Sequence, residues 1–155
     1  MIIRGYTNSD GRAVRDLLTR AFGQPDEADL VQALRETGDM ALELVAESRK
    51  KILGHVALSR LQAPKGWLAL APLCADPKQQ GKGIGSVLCQ MALDYANAPV
   101  VVLGDRHYYS RFGFVFEQTG ALTSPFPVEH TGLYLPEGTQ PPSEQTLNYA
   151  EPFMS

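Results

Sequence analysis

A glycine-rich segment, residues 76–85, constrains the fold of this chain more than any other feature. It lies between a short apolar run, 67–75, and a longer run whose apolar residues recur at helical spacing. The first run carries Pro72 and predicts a strand that is interrupted or bulged partway along. A strand, a glycine loop and a helix in this order direct unpaired N–H groups and the positive end of the helix dipole to one point. Such a point favours a phosphate or a diphosphate.

The helix after the loop has a predicted buried stripe with the spacing i, i+3, i+4, i+7, i+8 and i+11. The stripe consists of Ile84, Val87, Leu88, Met91, Ala92 and Tyr95. Glycines at 81, 83 and 85 let the backbone approach an anion without Cβ atoms in the way. We therefore expect the loop to hold a diphosphate mainly through its main chain, with Lys82 adding one positive charge.

Two other kinds of phosphate-binding loop share part of this pattern. A P-loop needs a glycine where this chain has Asp76, and a Ser or Thr directly after Lys82, where it has another glycine. The dinucleotide fingerprint G-x-G-x-x-G fits in its first half and is followed by an acidic residue, Asp105, after the next strand, but Ser86 replaces its third glycine. A nucleotide-binding oxidoreductase therefore stays open as an alternative.

Two motifs resemble those of the GNAT superfamily of N-acetyltransferases. Residues 80–85 read Gln-Gly-Lys-Gly-Ile-Gly, which is similar to the Q-x-x-G-x-G loop that holds the acetyl-CoA pyrophosphate in that superfamily. Residues 108–114 read Tyr-Tyr-Ser-Arg-Phe-Gly-Phe, which resembles its aromatic-Tyr-x-x-x-Gly-Phe segment after the fifth strand. The order of predicted elements agrees over most of the chain, and the resemblance is most specific between Leu73 and Phe114.

The resemblance implies an α/β (α+β) fold in a single domain over residues 1–155. Its sheet is mixed and mostly antiparallel, with six to seven strands, a splayed fourth and fifth strand pair, and about four flanking helices. The residues themselves predict strands at 2–3, 40–47, 52–60, 67–75, 100–103, from Phe114 onward, and at 146–149. Helices are predicted after a cap at 8–10, from Pro25, from the glycine loop and at 108–112.

The first two helices have predicted inner faces of apolar residues, which are Val14, Leu17, Leu18 and Phe22 in the first and Leu30, Val31 and Leu34 in the second. The segment 120–144 is rich in proline and predicts a long irregular surface loop. Its prolines are Pro125, Pro127, Pro136, Pro141 and Pro142.

Composition and termini narrow the class of protein. A net charge of −3 without a basic block disfavours nucleic acid as a partner, and no apolar run reaches the ~18 residues of a membrane span. The first six residues lack a signal-peptide pattern, so we expect a cytoplasmic protein. The two cysteines, Cys74 and Cys89, lack metal-ligand spacing and are expected to be packed, reduced thiols, with no bound metal.

The resemblance also implies a coenzyme site between the fourth and fifth strands. The pantetheine arm of acetyl-CoA would pair with backbone groups of Leu73 and Ala75, and a main-chain N–H near Pro72 to Leu73 would polarise the acetyl carbonyl. Cys74 is interpreted as a wall, because the family does not acylate the enzyme and no base is evident beside this residue. The diphosphate would lie on Gln80, Gly81, Lys82, Gly83, Ile84, Gly85 and Ser86.

Two protons must move during acetyl transfer. The motif implies that Tyr109 is the general acid for the departing thiolate and that Tyr108 faces the opposite way. Better-studied members often carry a Glu on the fourth strand, but 67–75 has no Glu, Asp or His, so Asp105, then His107, are the candidate bases. Neutralising a lysine-like amine at pH 7 costs about 4.6 kcal/mol, and an α-amino group only about 1 kcal/mol, so a weakly basic amine needs no dedicated base.

Acceptor choice in the superfamily comes from the link between the first two helices and from late loops, here 22–27 and 125–134. Phe22, Asp26 and Glu27 are therefore predicted acceptor contacts, although acidic residues also favour a helix N-terminus through the dipole alone. The predicted function is acetyl-CoA-dependent acetyl transfer to a primary amine of a small molecule or protein, by a monomer or homodimer. The alternatives are a non-catalytic acyl-CoA-binding or sensing module and the nucleotide-binding oxidoreductase.

Overall fold

Eight strands form a six-stranded sheet and a separate two-stranded ladder in the computed structural model, which describes residues 1–117, 121–140 and 143–155. The strands are β1 (Ile2–Gly5), β2 (Met40–Ser48), β3 (Lys51–Arg60), β4 (Leu68–Ala75), β5 (Val100–Leu103), β6 (Leu122–Thr123), β7 (Thr131–Tyr134) and β8 (Gln145–Thr146). The main sheet has the order β1-β2-β3-β4-β5-β7, and only its β4–β5 pair is parallel. The predicted mixed, mostly antiparallel sheet is confirmed.

Among the residues that the structure describes, four α-helices flank this sheet, as predicted. They are α1 (Gly11–Phe22), α2 (Asp26–Thr37), α3 (Ile84–Ala96) and α4 (Arg106–Tyr109). Side chains alternate across β2, so Leu44 and Ala46 pack with α3 while Val45 packs with α1 and α2. The first two helices therefore cover one face and α3 the other. No helix among the described residues is both long and apolar enough to cross a membrane.

The parallel pair β4 and β5 separates soon after it begins. Hydrogen-bonded register between them is limited to Leu68 opposite Val100 and Ala69 opposite Val101. On the other side of β4, the register with β3 shifts by one residue at the position of Pro72, which is the predicted interruption. The splayed fourth and fifth strands are thus confirmed. Among the described residues, the second half of β4 has no partner strand on the side of β5.

Helix α3 packs closely on the sheet because β3 carries a glycine beneath it. A Cβ at Gly54 would lie 2.6 Å from Ile84 Cγ2 and 2.8 Å from Leu88 Cδ1. The predicted stripe is wrong at Val87 and Tyr95, which are 40% and 66% exposed. The buried arc is rotated toward the next residues along the helix, and its members are Ile84, Leu88, Cys89, Ala92 and Leu93.

The end of α1 also differs from the prediction. Phe22 was expected on the inner face, but it is the last residue of α1 and its side chain is 38% exposed. The helix ends directly after it, because Gly23 is the C-cap in the left-handed conformation with a φ of 71°. The other predicted inner residues are buried except for the half-buried Leu30, and they are Val14, Leu17, Leu18, Val31 and Leu34.

The C-terminal part departs most from the prediction. No strand begins at Phe114 within the described residues, where only Val115 makes an isolated bridge to Leu133. The predicted loop 120–144 contains β6 and β7, and β7 is the edge strand beside β5. The strand predicted at 146–149 ends instead at Thr146. The predicted loop residues Gly120, Pro141 and Pro142 lie outside the described residues.

β7 contains a glycine for a packing reason that local sequence does not show. A Cβ at Gly132 would lie 2.7 Å from the ring of Phe116 and 3.1 Å from Phe114 Cβ. Both phenylalanines are buried. The glycine therefore gives these side chains room beside the strand, although a glycine in an isolated sequence indicates a turn or loop.

A buried polar cluster connects α2 to the sheet beneath it. Arg35 donates from Nε and Nη2 to the Glu43 carboxylate at 2.9 and 2.6 Å, and His55 Nε2 lies 2.6 Å from Glu43 Oε2. The Arg35 guanidinium also lies 3.9 Å from the centroid of the Tyr6 ring. His55 is fully buried. Burial acts to raise the pKa of Glu43, but hydrogen bonds from Arg35 and His55 outweigh it and lower the pKa.

We expect Glu43→Ala to lower the free energy of unfolding by about 3–5 kcal/mol, because it leaves the Arg35 charge and the His55 ring without their buried partner. Glu36→Ala, on the exposed face of α2, is the control and should change it by less than about 0.5 kcal/mol. Urea unfolding monitored by circular dichroism measures both. An equal loss of unfolding free energy in the two variants would show that the polar cluster contributes little to stability.

The lowered pKa of Glu43 gives this contribution a definite pH dependence. A carboxylate whose folded-state pKa lies below its unfolded value stabilises the fold above the unfolded pKa of about 4.3 and loses that effect as pH falls. The stability difference between the wild type and Glu43→Gln should therefore be constant near neutral pH and shrink below about pH 5. A difference that grows on acidification would contradict this assignment.

Candidate functional site

A cavity of about 540 Å³ lies where β4 separates from β5. Four parts of the chain line it. They are Leu73–Ala75 of β4, the glycine loop with the first turn of α3 at 79–81 and 83–86, Tyr108, Tyr109 and Arg111 around α4, and Ala21 with Phe22 at the end of α1. We call this cavity the cleft.

The cleft brings together most of the residues predicted for the site. Every predicted coenzyme contact lines it except Lys82, whose ammonium donates to Gln79 Oε1 at 3.0 Å. The predicted acid Tyr109 lines it as well. Among the predicted acceptor contacts Phe22 lines it, whereas Asp26 and Glu27 lie in the first turn of α2 outside the lining.

The glycine loop has the conformation that its sequence requires. Gly81 and Gly83 have φ values of 84° and 80°, in the left-handed region that favours glycine. Gly83 is the N-cap of α3, and the first helical bond there runs from the Val87 N–H to its carbonyl at 3.1 Å. The N–H groups of residues 84–86 therefore have no partner within the helix and lie at its positive end. This arrangement suits an anion bound in the cleft.

Two glycines make room for the two tyrosines that line the cleft. A Cβ at Gly104, directly after β5, would lie 2.7 Å from Tyr109 Cε2, and one at Gly85 would lie 3.1 Å from the Tyr108 hydroxyl oxygen. The two tyrosine rings are in edge contact with centroids 5.0 Å apart. Both line the cleft, so the expectation that Tyr108 faces the opposite way is wrong.

Sequence reasoning assigned no role to Arg111, although the residue lies within the second motif. Its guanidinium stacks 4.6 Å from the centroid of the Tyr108 ring and donates to Ser86 Oγ at 3.2 Å. These contacts place a positive charge beside the N-terminus of α3 and connect Tyr108 to the first turn of that helix. A basic residue inside a motif was the available signal, but its target depends on how the segment after α4 packs against α3.

Burial controls the ionisation of the groups that line the cleft. It raises the pKa of Tyr109 well above the ordinary value, and the nearby Cys89, Tyr108 and Asp105 add to the shift. It also raises the pKa of Cys74 to about 12, against a smaller opposing effect of a hydrogen bond from the His55 main chain. Both groups therefore hold their protons at neutral pH.

The candidate base Asp105 lies outside the cleft. It is the N-cap of α4 and accepts the His107 N–H at 2.9 Å. Its surroundings form a second cavity of about 690 Å³, which Glu129 and His130 also line. Within the described part of the chain, the lining of the cleft contains no Asp, Glu or His. The same part contains no group of three or more such residues or cysteines arranged for a metal ion.

Comparison with known proteins identifies the family. The model of the acetyltransferase (GNAT) family matches residues 11–114 of this sequence, which is more than half of the chain. The chain belongs to the GNAT family. This match contains the glycine loop, both cleft tyrosines and the splayed strands, so the resemblance drawn from the two motifs is confirmed. Membership of the GNAT family also removes the nucleotide-binding oxidoreductase as an interpretation.

Individual GNAT relatives agree with the family match. The uncharacterized N-acetyltransferase YhbS of Escherichia coli K12 is 39% identical over 122 residues, covering 74% of this chain and 73% of the relative. The crystal structure of Escherichia coli YhbS in complex with CoA has a TM-score of 0.89 at 32% identity, covering 99% of this chain and 92% of that one. A GNAT acetyltransferase from Brucella melitensis in complex with acetyl-CoA has a TM-score of 0.83 at 31% identity, covering 98% and 97%.

Burial of the two thiols predicts low chemical reactivity. The thiolate is the reactive form, and the pKa values of Cys74 and Cys89, both raised to about 12, reduce its fraction at pH 8 by roughly a thousandfold. We expect an aromatic disulfide reagent to react with the folded protein far more slowly than with the protein in guanidinium, followed by absorbance. Fast labelling of Cys74 in the folded protein would indicate an activated thiol rather than a wall.

Proposed function

We propose that this protein is an acetyl-CoA-dependent N-acetyltransferase that transfers the acetyl group directly to a primary amine of a small molecule or protein. One observation carries the proposal. The unpaired half of β4, the anion-binding end of α3 and Tyr109 all line one cleft in a chain of the GNAT family. Two similar structures, described as complexes with CoA and with acetyl-CoA, support acetyl-CoA as the cosubstrate.

In this proposal the coenzyme binds mainly through the main chain. The pantetheine arm adds to the free edge of β4 through backbone groups of Leu73 and Ala75, which needs no particular side chain. The diphosphate lies against the N–H groups of 80–86, and Arg111 supplies a positive charge that can approach its oxygens. Cys74 then forms part of the wall, in agreement with its raised pKa.

The chemical step forms one bond and breaks another. The nitrogen of a neutral amine attacks the acetyl carbonyl carbon, the new C–N bond forms, and the C–S bond to CoA breaks. The N–H of Leu73 would polarise the carbonyl oxygen, because its neighbour Pro72 has no N–H to donate. Tyr109 gives its proton to the departing thiolate, and the proton released by the amine goes to water.

The acceptor would bind beside the end of α1. Phe22 lies in the lining of the cleft and would contact the acceptor, whereas Asp26 and Glu27 would act from outside it by attracting a cation. The lining offers no carboxylate or imidazole among the described residues, so we propose an acceptor whose amine costs little to deprotonate at pH 7, such as an α-amino group, for which the cost is about 1 kcal/mol. The role of Asp105 as a base stays a prediction, because its carboxylate caps α4 outside the lining of the cleft.

A non-catalytic acyl-CoA-binding module is the second candidate, because the described lining holds an acid but no base. Two measurements separate it from an enzyme. Calorimetry with desulfo-CoA tests binding, and thiol release from acetyl-CoA tests turnover on a panel that pairs peptides bearing free α-amines with lysine-like amines. Binding with turnover on the α-amines is expected. Binding without turnover on any amine would favour the module, and no heat with desulfo-CoA would contradict both.

The loop glycines should matter more for binding than the lysine between them. Gly83→Val places a branched side chain at positive φ, and Gly85→Val meets the Tyr108 hydroxyl. We expect either to raise the Kd for CoA by about tenfold or more, and Lys82→Ala by less than about threefold, in calorimetry. Gly38→Val, which has the same φ strain at the end of α2, is the control and should leave the Kd unchanged. A larger loss in Lys82→Ala would contradict binding by the main chain.

Tyr109→Phe should lower kcat by roughly 10²–10⁴-fold while the Kd for CoA changes little, because only the proton donor is removed. Tyr95→Phe on the exposed side of α3 is the matched control. The pKa of Tyr109 lies above its ordinary value of about 10, so ionisation of this phenol should not reduce kcat until the pH exceeds about 10. Unchanged turnover in Tyr109→Phe would make this residue structural.

Three coarser expectations accompany this proposal. We propose that residues 1–155 act as one domain, since the sheet combines β1 with β7 and the C-terminal residues Leu147 and Tyr149 are buried. A monomer or homodimer stays a prediction, which size-exclusion chromatography with light scattering tests. A cytoplasmic location also stays a prediction, which cell fractionation tests.

A further inference from the structure

The end of α1 contributes Ala21 and Phe22 to the lining of the cleft. The residue directly before them, Arg20, reaches across to the first residue of the glycine loop. Its Nη2 donates to Asp76 Oδ2 at 2.9 Å. The cation lies in the last turn of a helix, where the dipole favours a positive charge.

Asp76 fixes the point at which β4 becomes the glycine loop. Its N–H donates to the Leu53 carbonyl at 2.7 Å, its Oδ1 accepts the Lys78 N–H at 2.9 Å, and its own carbonyl accepts the Gln79 N–H at 2.7 Å. The side chain is only 14% exposed. A hydrogen bond from the Lys78 main chain, together with Arg20, lowers the pKa of Asp76, so the carboxylate is charged at neutral pH.

We propose that the Arg20–Asp76 ion pair is a positioning device that couples the coenzyme loop to the acceptor-side wall of the cleft. Coenzyme on 80–86 restricts the loop that begins at Asp76, and the ion pair passes that restriction to the last turn of α1. The wall formed by Ala21 and Phe22 is then ordered when the coenzyme is bound. This inference rests on the proposed function, because it takes the cleft as the CoA site.

The coupling is tested without knowledge of the acceptor. Hydrogen exchange of the full chain is measured with and without CoA, and the ratio of free to bound exchange rates is compared for the amides of 21–23. The Gly23 amide is informative because it donates to the Thr19 carbonyl at 2.9 Å in the last turn of α1. In the wild type we expect CoA to slow these amides by about two- to fivefold, the size expected from one partly exposed ion pair.

Arg20→Ala should reduce the free-to-bound exchange ratio at 21–23 to about one. The same ratio for the loop amides 84–86 and the Kd for CoA should stay nearly unchanged. Arg20→Lys should keep part of the ratio, since it retains the charge. Asp76→Asn should also reduce it and additionally weaken CoA binding, because Asp76 supports the loop. Arg12→Ala, on the first turn of the same helix and outside the cleft lining, is the matched control.

The failure of this inference differs from that of the proposed function. If the wild type binds CoA and Arg20→Ala shows the wild-type ratio at 21–23, the ion pair does not transmit the restriction and the inference is wrong. A free-to-bound ratio of one at the amides of 21–23 in a wild type that binds CoA also overturns the inference. Equal acceleration of these amides with and without CoA, at an unchanged ratio, would mean that Arg20 only supports the helix end. Absence of CoA binding in the wild type would overturn both proposals.

Discussion

The separation of β4 from β5 after two residue pairs is the constraint on which the rest of the site depends. Two parallel strands in full register would bury the edge groups of β4 and close the space between them. The register shift at Pro72 alters the path of β4 where the pairing with β5 has already stopped. The cleft opens at that point, and the glycine loop begins at the end of the same strand. A strand edge and a helix N-terminus are thereby available to one elongated ligand.

Close approaches at three glycines then set the shape of the cleft. Gly54 lets α3 lie near the sheet, Gly85 admits the Tyr108 hydroxyl, and Gly104 admits the Tyr109 ring. Any side chain at these positions would force its neighbours to move. Protein interiors are packed densely enough that such movements propagate instead of being absorbed locally. The geometry of the wall thus depends on the absence of side chains as much as on the residues that line it.

Local signals in the sequence accounted for the strand, loop and helix at the centre of the site, because left-handed glycines and helical spacing are properties of neighbouring residues. They did not account for features that arise only when distant segments meet. The partner of His55 is Glu43, which depends on the register between β2 and β3. Arg20 and Arg111 likewise act across elements. β7 was missed because its glycine makes room for Phe116, a reason that no local pattern contains.

Recognition of a ligand by main-chain groups has an evolutionary consequence. In the proposed binding mode, substitutions at lining positions other than the loop glycines change side chains without altering the N–H and C=O groups, so these positions tolerate sequence drift. The end of α1 and the surroundings of Phe22 present side chains to the same cavity and lack that protection. Under the proposed function, selection can therefore diversify the acceptor through these side chains while the cosubstrate stays the same.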